Sequence, residues 1–100
     1  MQGATVQHSI AADTKVSASK DQVSCDLAGE TAVLNVQSGV YYGLDEVGAR
    51  IWELIQTPRR VSEVRDALLE EYDVEASQCE ADIITLLNQL GEVGLVEVQG

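Results

Sequence analysis

Basic side chains are scarce in this chain. Six Lys and Arg stand against seventeen Asp and Glu, a formal net charge of −11 over 100 residues. Such a field repels phosphate backbones and anionic lipid, and it favours neutral or basic partners. Acidic charge also keeps a small domain soluble, which is reason enough for it. A helix that reads DNA needs Arg or Lys at phosphates and base edges; the predicted third helix, residues 78–93, has neither. Arg59-Arg60 is too small a patch to offset the rest. Histidine is confined to His8, in a lead-in without periodicity, so no Ser/His/Asp or Cys/His arrangement is available for nucleophilic catalysis. No Gly-rich phosphate loop occurs. Cys25 and Cys79 form no CxxC pair, which argues against zinc, and two free, partly buried thiols are expected rather than a disulfide. No run approaches the roughly 18 apolar residues of a membrane span. The start, MQGATVQHSIAADTK, lacks the basic and apolar regions of a signal peptide. A soluble, cytoplasmic chain without metal or cofactor is expected. Phenylalanine is absent, and the aromatics are Tyr41, Tyr42, Trp52 and Tyr72 alone. Val, Leu, Ile and Ala must therefore build the core, which in so small a domain is marginal without a partner.

What is present divides into a β-rich and a helical half. Residues 1–13 are expected to be a flexible lead-in to a single domain over 14–100. Lys15–Ser19 and Gln22–Leu27 read as short strands, with a turn or bulge at Lys20-Asp21, and Ala28-Gly29-Glu30 reads as a turn. The clearest unit is a hairpin. In Thr31–Val36, Ala32, Leu34 and Val36 share one face and Thr31, Val33 and Asn35 the other. Gln37-Ser38-Gly39 supplies the loop. In the return strand Val40, Tyr42 and Leu44 share a face, opposite Tyr41 and Gly43. Asp45 is a good N-cap for a helix carrying Val47, Ile51, Leu54 and Ile55, which Thr57-Pro58 ends. Ser62 is expected to cap a second helix with Val64, Leu68 and Tyr72 inward. Ser77 and Glu80 fit a capping box for a third, with Ile83, Ile84, Leu86, Leu87 and Leu90 in a stripe wider than one contact needs. Gly94 stops it, and Leu95–Val98 is a closing strand. This order describes an α+β, winged-helix-like domain: a small antiparallel sheet of about three strands followed by three helices.

An ordered set of features resembles the PqqD-like peptide chaperones, also called RiPP recognition elements. These are the strand Val33–Val36, the turn Ser38-Gly39, the paired Tyr41-Tyr42, Gly43, the small pair Gly48-Ala49 and Trp52. Ala67–Val74, Ile83–Leu90 and Gly94-Leu95-Val96 extend the resemblance to about residues 31–98. It implies a non-catalytic domain that binds the leader segment of a ribosomally made precursor peptide and delivers it to a processing enzyme. The leader would add as an antiparallel strand to the hairpin's free edge, here Val40, Tyr41, Tyr42, Gly43 and Leu44. It would lie in a groove walled by Ile83, Leu86, Leu87 and Leu90, with Asp82 or Glu80 available to a basic leader residue. A proline at Tyr42 is expected to remove an edge donor, and Leu87→Asp to damage groove or core. The Gly-Val-Tyr-Tyr-Gly-Leu-Asp run looks more like the stand-alone subunits of lasso peptide systems, whose partner is a leader protease. The quinone-cofactor type, with a radical-SAM enzyme as partner, is the alternative.

Each assignment has a plainer counterpart. Trp52 and the Leu-rich third helix suit a core, at least one of the two tyrosines suits ordinary cover, and Glu80 suits a helix start. An acidic winged-helix interaction module in transcription is the competing function. Monomer and strand-exchanged dimer are both open, since free edges pair with each other.

Overall fold

The computed structural model describes residues 10–20, 22–27 and 30–99. The lead-in up to residue 9, Asp21 and the Ala28-Gly29 turn fall outside the described residues. The elements run β1 (Lys15–Ala18), β2 (Gln22–Leu27), β3 (Glu30–Asn35), β4 (Tyr41–Leu44), α1 (Glu46–Leu54), β5 (Arg59–Arg60), α2 (Val61–Glu71), α3 (Ala76–Glu92) and β6 (Val96–Gln99). The α+β, winged-helix-like class is as expected. The strands, however, make two sheets rather than one. One has the order β2-β3-β4, and the other the order β5-β1-β6, both with antiparallel neighbours. β1 and β2 are therefore not a hairpin. β1 instead pairs with the closing strand β6, Val16 facing Val98 and Ala18 facing Val96.

β5 was not legible in the sequence. Two arginines after a proline carry no strand signal, and they pair only because β1 offers its edge, with Lys15 opposite Arg60 and Val16 opposite Arg59. That pairing also decides where α2 begins. The amides of Val61 and Ser62, unbonded within the helix, donate to the carbonyls of Thr14 (3.0 Å) and Ala12 (2.8 Å). Arg60 becomes the N-cap, and the Glu63 carboxylate reaches back to its amide at 2.7 Å. The cap expected at Ser62 is thus displaced by backbone carbonyls from the chain's start. Ile10, at the edge of the described region, packs against the core.

α3 also starts earlier than the Ser77/Glu80 pattern implies. The Glu75 carboxylate caps it, accepting from the Gln78 amide (3.0 Å) and the Ser77 hydroxyl (2.6 Å), while Glu80 turns to Arg65 at 2.7 Å. The Ser77 hydroxyl and then the Gln78 amide hold the Glu75 carboxyl below its usual range. Asp45 caps α1 as expected, accepting from the Gly48 amide at 2.8 Å.

The core lies between the three helices and the inner faces of both sheets. Val16, Val33, Leu44, Ile51, Trp52, Ile55, Val61, Val64, Leu68, Ile83, Leu87, Leu90 and Leu95 are buried in one cluster. Trp52 is core, as its apolar helix suggested. In β3 the inner face is that of Thr31, Val33 and Asn35, and Leu34 and Val36 are exposed. Cys79 is buried, Cys25 is exposed, and both are free thiols.

Candidate functional site

The hairpin hydrogen bonds fix which groups of β4 are unused. The Asn35 amide donates to the Val40 carbonyl at 2.8 Å, so these two residues form a bonded antiparallel pair. Bonded and non-bonded pairs alternate along such a ribbon. The pairs Val33–Tyr42 and Thr31–Leu44 are then bonded, and Leu34–Tyr41 and Ala32–Gly43 are not. Tyr41 and Gly43 consequently turn their N–H and C=O groups away from β3. Among the described residues β4 has no second neighbour strand, so this edge is free. The Tyr42 amide faces β3. A proline there would break the hairpin ladder rather than blunt the edge, which corrects the expectation drawn from the sequence.

Beside the edge lies a cleft of about 690 Å³. Tyr42, Gly43 and Leu44 form one side, Gln78, Cys79, Asp82, Ile83 and Leu86 of α3 the other, and Val47, Gly48, Ile51, Leu68 and Tyr72 the floor. The strand and α3 are tied together where the Tyr42 hydroxyl donates to the Gln89 side-chain oxygen. α1 and α2 are braced by Arg50, whose guanidinium meets Glu71 at 2.7 Å and Glu53 at 3.2 Å. Among the described residues the charged side chains at the cleft are Glu30, Asp45 and Asp82, with no Lys or Arg lining it. Asp82 is exposed and accepts from Gln78 Nε2 at 2.9 Å. Burial, and then Asp82, pushes the Cys79 thiol up, so it stays protonated near neutrality. Burial and then Glu46 do the same to the Tyr72 phenol. These are features of a recognition surface: an unsatisfied backbone edge, apolar walls and an acidic rim.

The family profile of coenzyme PQQ synthesis protein D (PqqD) matches residues 30–96, well over half of the chain. The chain belongs to the PqqD family. Two solved structures resemble this PqqD-like chain. One, titled "TbiB1 in Complex with the TbiA(beta) Leader Peptide", is 37% identical with a TM-score of 0.74, and the match covers 81% of this chain and 94% of that one. The other, "Lasso peptide synthetase B1 complexed with the leader peptide", is 24% identical with a TM-score of 0.72, covers 82% and 96%, and bears on the fold alone. No curated protein sequence matches.

In this PqqD-like recognition element the residues singled out from sequence divide into three groups. Tyr42, Gly43, Leu44, Asp82, Ile83 and Leu86 come together around the cleft. Val40 and Tyr41 are exposed at the start of the edge strand, Tyr41 at 71% of its surface. Leu87 and Leu90 are fully buried and belong to the core rather than to the groove wall. Helical periodicity finds an apolar stripe but not which row of it meets a neighbour, so it merged the core row Ile83/Leu87/Leu90 with Leu86 at its border. Glu80 is engaged by Arg65 across the α2–α3 packing. Sequence reasoning missed the floor residues Val47 and Ile51 as cleft residues, and missed Tyr72 and Gln78. They come from α1, from the residue that follows α2 and from α3, and no local pattern brings such positions together. Among the described residues no three His, Cys, Asp or Glu side chains converge as a metal site, and no helix is long and apolar enough to cross a membrane.

Proposed function

We propose that this chain binds the leader segment of a ribosomally synthesised precursor peptide, as an antiparallel strand added to β4, and presents it to a processing enzyme without catalysing a reaction itself. The observation that carries this reading is the free edge of Tyr41 and Gly43 beside the apolar cleft, in a PqqD-family chain. Its 37% identical relative was solved with a leader peptide. Backbone bonds at the edge would supply sequence-tolerant affinity, and the cleft between β4 and α3 would supply selection. Leu86, Val47 and Ile51 suit apolar leader side chains, and Asp82 suits a basic one. Leu87 and Leu90 would support the wall from beneath. We favour a lasso-type system with a leader protease as partner. The family's own description favours the competing assignment, a quinone-cofactor system with a radical-SAM enzyme. Either places the chain in the cytoplasm, where precursors are translated.

Isothermal titration with synthetic leader peptides encoded beside this gene tests the reading. Saturation at one peptide per chain is expected. A folded protein that binds none of them would remove it.

A further inference from the structure

The hydrogen-bond register of β4 does more than mark an edge. It dictates which side chains of an added strand face which surface. Tyr41 and Gly43 carry the free edge groups, so the residues opposite them in an antiparallel occupant form the bonded pairs. Side chains of directly opposed residues lie on one face of a sheet. Residues opposite Tyr42 and Leu44 therefore enter the cleft. Residues opposite Tyr41 and Gly43 emerge on the other face, away from the helices.

That outer face is apolar and open. Val23, Leu34 and Tyr41 stand side by side across the three strands, 54%, 37% and 71% exposed, and Cys25, Ala32 and Gly43 form the next row. Gly43 is the gap in it. A Cβ built there meets nothing within 4 Å, and its φ lies outside the left-handed region, so neither crowding nor backbone geometry within the chain calls for glycine. Glycine weakens a strand interior unless something approaches closely. Its bare Cα, flanked by Tyr41 along the strand and Ala32 across it, leaves a notch at the edge itself.

Resting on the leader-binding reading, we infer that this notch is a second specificity subsite. It takes a large apolar or aromatic side chain from the leader residue opposite Gly43, on the face of the sheet opposite the cleft. The leader is then read on both faces, by α3 at alternate positions and by Gly43, Tyr41 and Ala32 between them. Aromatic side chains laid over an edge glycine recover the packing that the glycine forgoes.

The test pairs Gly43→Val with an alanine scan of the synthetic leader peptide that binds the parent protein. Valine suits a strand, and a Cβ at this position meets nothing within 4 Å, so thermal stability should hold or rise. The affinity of the parent leader should fall by about tenfold, the scale of a good aromatic cross-strand contact. One leader position outside the cleft-facing alternation should be equally sensitive to alanine, and Gly43→Val should not weaken that alanine peptide further. If Gly43→Val leaves affinity unchanged, or weakens every peptide alike, the subsite is overturned while leader binding stands. If no leader binds the folded parent, both fall. A self-association that Gly43→Val abolishes without affecting the peptide would assign the notch to a second copy of the chain and overturn the proposal. Should Gly43→Val fail to fold, Gly43→Ala and the peptide scan carry the same comparison.

Discussion

At the scale of single residues, Asn35 does the most with one side chain. Its amide donates to the carbonyls of Val93 and Gly94, both at 3.2 Å, while its Oδ1 accepts from the amides of Gln37 (2.9 Å) and Ser38 (3.3 Å). One buried residue thus closes the β3–β4 turn and holds the end of α3. Gly94 completes the joint. Its φ is +77°, and a Cβ there would sit 2.6 Å from Asn35 Nδ2. Asn35→Ala strands these backbone groups and should lower stability by about 2 kcal/mol in urea unfolding. A loss under about 0.5 kcal/mol, the range of ordinary surface changes, would show that solvent takes over its contacts. The two thiols give a second residue-scale check. Exposed Cys25 should react with maleimide promptly and Cys79 only slowly, because Cys79 is buried and its thiol pushed up. Equal rates would mean that the cleft opens readily.

At the scale of elements, the predictions concern the edge strand and the helix braces. Amide exchange in the free protein should be fast at Tyr41 and Gly43 and slow at Tyr42 and Leu44, by the alternation of ladder bonds. A bound leader should then protect the first pair specifically. Protection gained instead at Tyr42 and Leu44 would overturn the register. Tyr41→Pro should weaken leader binding in a folded protein, whereas Tyr42→Pro should cost the fold itself. The Arg50 brace sets a pH dependence. Arg50 holds the Glu71 carboxyl below its ordinary range, so the fold prefers the ionised form. That stability is fully present above the unfolded carboxylate value near ~4.3 and is lost as pH falls through the lowered folded value. Arg50→Gln should flatten part of the acid limb of a stability–pH curve, and an unchanged limb would detach Glu71 from it. The hairpin, the three helices and the Gly94 stop were legible from sequence because each rests on local signals: alternation along the strands, apolar periodicity along the helices, the Asp45 cap and a glycine with positive φ. β5, the start of α2 and the division into two sheets were not. They depend on β1 pairing with segments 45 and 82 residues away, such as Lys15 with Arg60 and Ser17 with the Gln99 side chain.

At the scale of the whole molecule, the site and the stability of the domain are coupled. A single-core domain of 100 residues lacking phenylalanine has little margin. The edge, the cleft floor and the Asn35 joint draw on β3, β4 and all three helices, so an occupant would bridge most of the fold. A ligand that binds only the folded state at 100 times its dissociation constant adds about 2.7 kcal/mol. In a domain of this size each kcal/mol moves the melting temperature by roughly 4–8 °C. Saturating leader should therefore raise the melting temperature by about 10 °C or more. The acidic rim makes a further demand. If Asp82 and the net charge of −11 attract a basic leader, the shift should shrink between low and moderate salt, as surface charge interactions are screened over about 10 Å at 0.1 M. Asp82→Asn should remove part of that salt dependence while leaving the free protein's melting temperature nearly unchanged, because Asp82 is exposed and its partner is a Gln78 amide. A shift insensitive to salt and to Asp82→Asn would assign selection to the apolar walls alone and reduce the acidic surface to a means of staying dissolved.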